Sequence, residues 1–275
     1  MSESTLRVAL LGYAGVQTLD LAGPLDAFGA ANSARPGAYS TVTTSLDGQP
    51  FMSETGLRIA PDCAFADAGP IDTLVIPGGE GLRRPGTADA VAAALRARAA
   101  GCRRIVSICT GIYGVAPSGL LAGRRATTHW RFADDVAARF PELRMERDAI
   151  FVKDGPLYTS AGITAAIDLA LALIEEDYGP KLALWVARDL VVYVRRAGGQ
   201  RQYSEPLRFQ AQAGDRFADL AAWIVTHLAE DLSVERLAAH MRLSRGSSAG
   251  ASPAPSARLR ASRSRHCGST PLANT

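Results

Sequence analysis

No apolar run in this 275-residue chain approaches the roughly 20 residues that a membrane-crossing helix needs, so no membrane partner is expected. The first residues, Met1-Ser-Glu-Ser-Thr5, lack the basic stretch and apolar core of a secretory leader. Histidine and cysteine are scarce, four of each, and neither an HExxH pattern nor a Cys/His cluster occurs, so neither a metal nor another cofactor is expected. Scattered cysteines (Cys63, Cys102, Cys109, Cys267) suit a reducing cytoplasm better than a disulfide scaffold. Acid is missing from the end of the chain. After Glu235 there is no Asp or Glu, while seven arginines follow, so the body is net negative and the end is basic. A basic end can touch nucleic acid, and a solvated tail would carry the same charge.

What is present is enough hydrophobic sequence, 47%, for a full core in one large domain or a medium domain with an appendage. The most informative stretch is Arg104-Ile-Val-Ser-Ile-Cys-Thr-Gly111. Its β-branched run reads as a buried parallel strand, and Gly111 permits a sharp turn into a helix spanning Ile112–Leu121. A cysteine at such a corner is lifted off the sheet beside helix N-terminal amides, which favour the thiolate. A serine nucleophile elbow has the same geometry, and a buried structural cysteine at a strand end would look alike. Within the following helix, Pro117 removes a backbone bond and predicts a kink or an early end.

Along the chain, Leu6–Leu11 reads as a strand ended by Gly12 and Thr18–Ala31 as a helix, with Asp20 near its N-terminal end. Short strands follow at 39–45 and near 57–60. Asp72–Pro77 is a second buried strand running into Gly78-Gly79-Glu80-Gly81, where the glycines allow close approach to a ligand or simply make a tight turn. Ala88–Ala100 reads as a helix. The extended piece Gly123–Trp130 leads into a helix ending at Arg139. Ile150–Val152 and Leu157–Thr159 pair as a hairpin, and Ile163–Glu176 and Lys181–Tyr193 are helices. Alternating strands and helices predict an α/β fold with a parallel sheet covered on both faces, and ligands in such sheets sit at the strands' C-terminal ends. Gly78, Gly79 and Cys109 all fall there.

Residues 197–213 are polar and Gly/Pro-containing, as in a linker. Asp215–Leu228 is an amphipathic helix. Ser233 can cap a second helix reaching Met241. The pair suggests a helix-turn-helix, although two helices packed for stability would read alike.

Four pieces carry a resemblance: Val16-Gln-Thr-Leu-Asp-Leu-Ala-Gly-Pro-Leu-Asp-Ala-Phe28, Asp72–Gly79, Ser107-Ile-Cys-Thr-Gly111 and Gly119–Trp130. With them, residues 6–193 resemble the PfpI/ThiJ branch of the class I glutamine-amidotransferase-like fold. Residues 214–244 are similar to the start of an AraC-type DNA-binding domain, in Asp231–Ala239 and Leu243-Ser244. The combination resembles the GlxA-type transcriptional regulators. It implies a flavodoxin-like sheet sandwiched by helices (1–196), a linker (197–213), a partial helix-turn-helix (214–244) and a disordered basic tail (245–275). It also implies a cytoplasmic homodimer that senses a small metabolite, with DNA contacts from Arg242, Ser244 and Arg245.

The front half also resembles isonitrile hydratases. By that likeness Cys109 is the nucleophile, Asp20 the acid bonded to its sulfur, Thr110 a pocket residue and His129 a pocket histidine. Gly78, Gly79 and Gly111 line the ligand site, with the Gly79 and Thr110 amides as anion donors. Read by themselves, Asp20 could instead cap its helix and His129 could be a core histidine. The AraC-type pattern departs after Leu243-Ser244, where Arg245-Gly-Ser-Ser-Ala-Gly-Ala-Ser-Pro-Ala-Pro-Ser256 replaces a recognition helix. A segment with so few large apolar residues cannot bury a core. A reading-frame shift near residue 244 is the expected origin.

Overall fold

The computed structural model describes residues 5–84, 86–192, 199–200, 220, 223–224, 227 and 232–240. The chain divides into two compact units, Met1–Ser204 and Glu205–Thr275.

In the first unit the strands are β1 (Leu6–Gly12), β2 (Tyr39–Ser45), β3 (Phe51–Met52), β4 (Arg58–Ile59), β5 (Cys63–Ala64), β6 (Thr73–Ile76), β7 (Arg104–Ile108), β8 (Arg125–Ala126), β9 (Arg144–Met145), β10 (Phe151–Asp154) and β11 (Leu157–Ser160). The helices are α1 (Thr18–Ala34), α2 (Thr87–Arg98), α3 (Ile112–Val115), α4 (Ala133–Arg139), α5 (Ala165–Tyr178) and α6 (Pro180–Asp189). Seven strands form one sheet in the order β10-β11-β7-β6-β1-β2-β5. Every pairing in it is parallel except the β10–β11 hairpin at one edge. This is the flavodoxin-like α/β architecture. The central strands β6 and β7 are buried along their whole length, which is why they read as unbroken apolar runs.

Helices α1, α5 and α6 pack on one another, and α2 packs on α3. The chain leaves β1 towards β2 on one side and β6 towards β7 on the other. Between β1 and β6 the winding therefore reverses, and ligands of such sheets bind outside the C-terminal ends of the strands at that point.

Several elements depart from the sequence reading. The helix after Cys109 is not one helix to Leu121. Cys109–Gly111 and Ala116–Ser118 are single 3-10 turns flanking the four-residue α3. Pro117 sits in the first positions of the second turn, where its missing N–H matters least. Helix α5 begins at Ala165, two residues late, because Ile163 adopts a positive φ of 53°. Helix α6 ends at Asp189 rather than Tyr193, with Val191 at φ 56°. The short β5 was not anticipated.

Of the stretch read as a linker, 197–213, only Gly199 and Gln200 are described, and Gln200 is buried within the first unit. In the second unit, Trp223 and Ile224 are helical and Val234–His240 forms a helix. Ser233 stands at the start of that helix, its carbonyl accepting from the Leu237 amide at 3.0 Å. Trp223 stacks on both His227 and His240, at 4.3 and 4.5 Å between ring centroids. Arg242, Ser244, Arg245 and the tail expected to be disordered lie outside the described residues.

Candidate functional site

Strand β7 delivers Cys109, buried, to the C-terminal edge of the sheet at φ 54°. A non-glycine residue held there is strained, and the strain persists only because neighbouring groups fix it. The loops after β6 and β11 close on it. A side chain at Gly78 would meet the Thr110 amide at 2.6 Å and the Cys109 Cβ at 2.8 Å. One at Gly162 would meet the Cys109 Cβ at 2.0 Å and its Sγ at 2.8 Å. Gly111 lies against the Ile76 carbonyl.

Asp20 comes from the first turn of α1 and is fully buried. Its Oδ2 accepts from the Gly78 amide at 3.0 Å and its Oδ1 from the Ile163 amide at 2.6 Å. Its carboxyl lies close enough to the Cys109 thiol for each group to shift the titration of the other. Asp20 is thus more than a helix cap: it ties α1 to the loops after β6 and β11. Thr110 follows Cys109 directly, and its hydroxyl donates to the Gly79 carbonyl at 3.2 Å. The Thr110 hydroxyl in turn accepts from the Gly79 amide at 2.8 Å. The Gly78 and Gly79 amides therefore hold the site's own side chains. An anion would reach the Gly79 amide only by displacing the Thr110 hydroxyl.

Burial pushes the Asp20 carboxyl up to about 6, against the pull of the two amides. Burial, and next the Asp20 charge, push the Cys109 thiol well above its ordinary value of 9.0. The dipole argument for a thiolate loses because α3 has only four residues and the sulfur is enclosed. The two groups titrate as a pair, losing one proton near 6 and keeping the other to far higher pH. For Asp20 the folded pKa lies above the unfolded one. Its stabilising contribution is complete below about pH 4 and is lost as pH rises through 6. Relative to Asp20→Asn, the wild type should lose on the order of 2–3 kcal/mol of unfolding free energy between pH 4 and 7. Guanidinium unfolding of both proteins at several pH values measures this, and a difference that does not vary with pH would refute it.

His129 lies beside the site without a bond to the sulfur. Its Nδ1 accepts from the Arg131 amide at 3.3 Å, and its ring packs near Trp130 and Phe132 at 5.6 and 5.9 Å. Burial and then the Arg131 charge lower its pKa, which keeps it neutral at pH 7. The bond to the elbow comes from the preceding residue, the Thr128 hydroxyl donating to the Cys109 carbonyl at 2.6 Å. At the rim, Glu54 accepts from the Gln17 side chain at 2.7 Å and the Glu80 amide at 2.8 Å. Among the described residues no group of acidic, His and Cys side chains could hold a metal ion.

Sequence reasoning passed over Thr128, Gly162 and Ile163. The signal for the last two was present. Leu157-Tyr-Thr-Ser-Ala-Gly162 is a strand running into a glycine, like the stretches ending at Gly78 and Gly111.

A cysteine at a strained strand-to-helix corner, beside a buried carboxyl at the C-terminal ends of a parallel sheet, defines a class of α/β proteins. The particular family is DJ-1/PfpI, to which this chain belongs: the family's sequence pattern matches residues 6–176. The chain is 30% identical to the HTH-type transcriptional regulator GbdR of Pseudomonas aeruginosa over 208 residues, which is 75% of this chain and 56% of that protein. It thus spans about half the length of that regulator. It is 35% identical to the isonitrile hydratase of Pseudomonas putida, over 67% of this chain and 78% of that enzyme. A solved AraC family transcriptional regulator from Pseudomonas putida superposes with a TM-score of 0.59 at 26% identity, covering 67% of this chain and 99% of that one.

Proposed function

We propose that this protein is a transcriptional regulator whose DJ-1/PfpI domain senses a small metabolite at the Cys109–Asp20 site and whose second unit contacts DNA. The observation that carries this reading is the length of the likeness to the HTH-type regulator GbdR, 208 residues, longer than the 6–176 stretch that defines the family domain and than the 187 residues shared with the isonitrile hydratase. The chemistry of the site agrees. Burial of Cys109 and the Asp20 charge beside it both disfavour the thiolate, the attacking form of the group. The regulator would act as a cytoplasmic homodimer. Arg242, Ser244 and Arg245 remain its proposed DNA contacts, and Cys109, Asp20, Thr110, Gly78, Gly79 and Gly111, with His129 alongside, its ligand site.

A second reading has its own support. The hydratase relative is the more identical of the two, and a protonated Asp20 beside a cysteine can pass its proton to a developing carbanion. One experiment separates them. The full chain is incubated with cyclohexyl isocyanide, and N-cyclohexylformamide and the thermal midpoint are both followed. We expect a midpoint shift without formamide, abolished in Asp20→Ala. Formamide production lost in Cys109→Ala would instead establish the hydratase and overturn the sensor.

A further inference from the structure

The stretch Thr127-Thr128-His129 has no regular secondary structure, yet its Thr128 hydroxyl donates to the carbonyl of the strained Cys109. Something must hold that stretch in place. Thr127 is tied on one side: its amide donates to the Thr159 hydroxyl at 2.8 Å, and its own hydroxyl donates to the Ala149 carbonyl at 3.0 Å. The rest is held by a residue far along the chain, Gln200.

The side-chain amide of Gln200 is buried and fully used. Its Oε1 accepts from the Trp130 amide at 2.8 Å. Its Nε2 donates to the carbonyls of Thr128 and Ala149, both at 2.9 Å. Its backbone amide donates to the Asp148 carbonyl at 2.7 Å. The seat is also shaped for a glycine before it, since a Cβ on Gly199 would lie 2.3 Å from the Asp148 carboxyl. A polar side chain buried with every donor and acceptor matched is a specific construction, because each unmatched group would cost desolvation free energy.

We infer that Gln200 is a positioning residue for the ligand site: by clamping Thr128 and Trp130 it fixes the Thr128 hydroxyl on the Cys109 carbonyl, and so sets the shape of the elbow. Two hydrogen bonds join the two places, from Cys109 to Thr128 and from Thr128 to Gln200. Rearrangement at the elbow and release of the 199–200 segment are therefore linked, and linkage between two places runs in both directions. The inference rests on Cys109 and Asp20 being the ligand site, but not on whether that site senses or catalyses.

The test needs neither a ligand nor DNA. The full-length wild type, Gln200→Met and Thr128→Val are treated with iodoacetamide, and the alkylation of Cys109 and Cys102 is followed by peptide mass spectrometry. Methionine keeps the volume of Gln200 and removes its hydrogen bonds. Cys102, half-buried before the opposite end of β7, reports general loosening in the same sample. The ratio of Cys109 to Cys102 alkylation should rise about three- to tenfold in both variants, as expected from losing one or two hydrogen bonds. Amide exchange at 127–130 should quicken in Gln200→Met. In the reverse direction, alkylating Cys109 in the wild type should quicken exchange at Gln200. An unchanged ratio in Gln200→Met, including no reaction at Cys109 in any of the proteins, overturns the inference. So does a rise shared equally by Cys102, which would mean that Gln200 supports only the fold.

Discussion

Asp177→Ala should lower the unfolding free energy by about 3–5 kcal/mol, the range for breaking a buried ion pair from one side. Asp177 closes α5 onto the N-terminal ends of the central strands. Its carboxylate pairs with Arg104, and both side chains are 2% exposed. Arg104 Nη1 reaches Oδ1 at 3.0 Å, Arg103 donates to the same oxygen at 2.8 Å, and the Tyr39 hydroxyl donates to Oδ2 at 2.9 Å. Nε of Arg104 is taken by the Thr73 hydroxyl at 2.7 Å. Removing the carboxylate strands a guanidinium among β6, β7 and the core, where water cannot replace the partner.

The same group gives a pH dependence of opposite sign to that of Asp20. Burial works to raise the Asp177 pKa, but the Arg104 and Arg103 hydrogen bonds outweigh it and hold it below the ordinary 3.8. Its contribution is therefore complete above about pH 4 and is lost as pH falls through the depressed value. Urea unfolding of wild type and Asp177→Ala at pH 7 and pH 3 checks both points. The gap between them should narrow in acid. A gap under about 1 kcal/mol at pH 7 would place this pair among ordinary surface bridges.

Gly162→Ala should damage both the fold and the site, and Gly179→Ala provides the control. Both glycines have φ +84°, so an alanine is strained at either position, by about 1–3 kcal/mol. They differ in space. A Cβ at Gly179 meets nothing within 4 Å, whereas one at Gly162 meets the Cys109 Cβ at 2.0 Å and its Cα at 2.7 Å. A shift of the β11 loop away from Cys109 would pull on the Ile163 amide bond to Asp20. Gly162→Ala should therefore lose about 1–3 kcal/mol beyond Gly179→Ala. It should also alter Cys109 alkylation, while Gly179→Ala leaves the site as in the wild type. Equal destabilisation in the two variants would mean that the loop after β11 moves freely away from Cys109.

Much of this architecture was legible in the residues. The β-branched runs Ile105–Ile108 and Leu74–Ile76, ending in Cys109 and Gly78, announced buried parallel strands with chemistry at their C-terminal ends. Asp20 near the start of α1 and Cys109 at its corner were named from spacing and likeness, because strand, turn and helix signals are local. What the residues could not carry was which partner each group spends itself on. The Gly79 amide, read as an anion donor, is taken by the Thr110 hydroxyl, and that depends on loops 31 residues apart. The thiol pKa rises instead of falling because enclosure outweighs a short helix's dipole, and enclosure is a property of the packed site. Gln200 stands in a polar, glycine-containing stretch that reads as a linker. Only the folded chain, by bringing the carbonyls of Thr128 and Ala149 and the amide of Trp130 to one point, makes it a buried clamp. Patterns along the chain determined the elements and their order. The meeting of residues distant in sequence, with their desolvation and their competition for hydrogen bonds, decided the site.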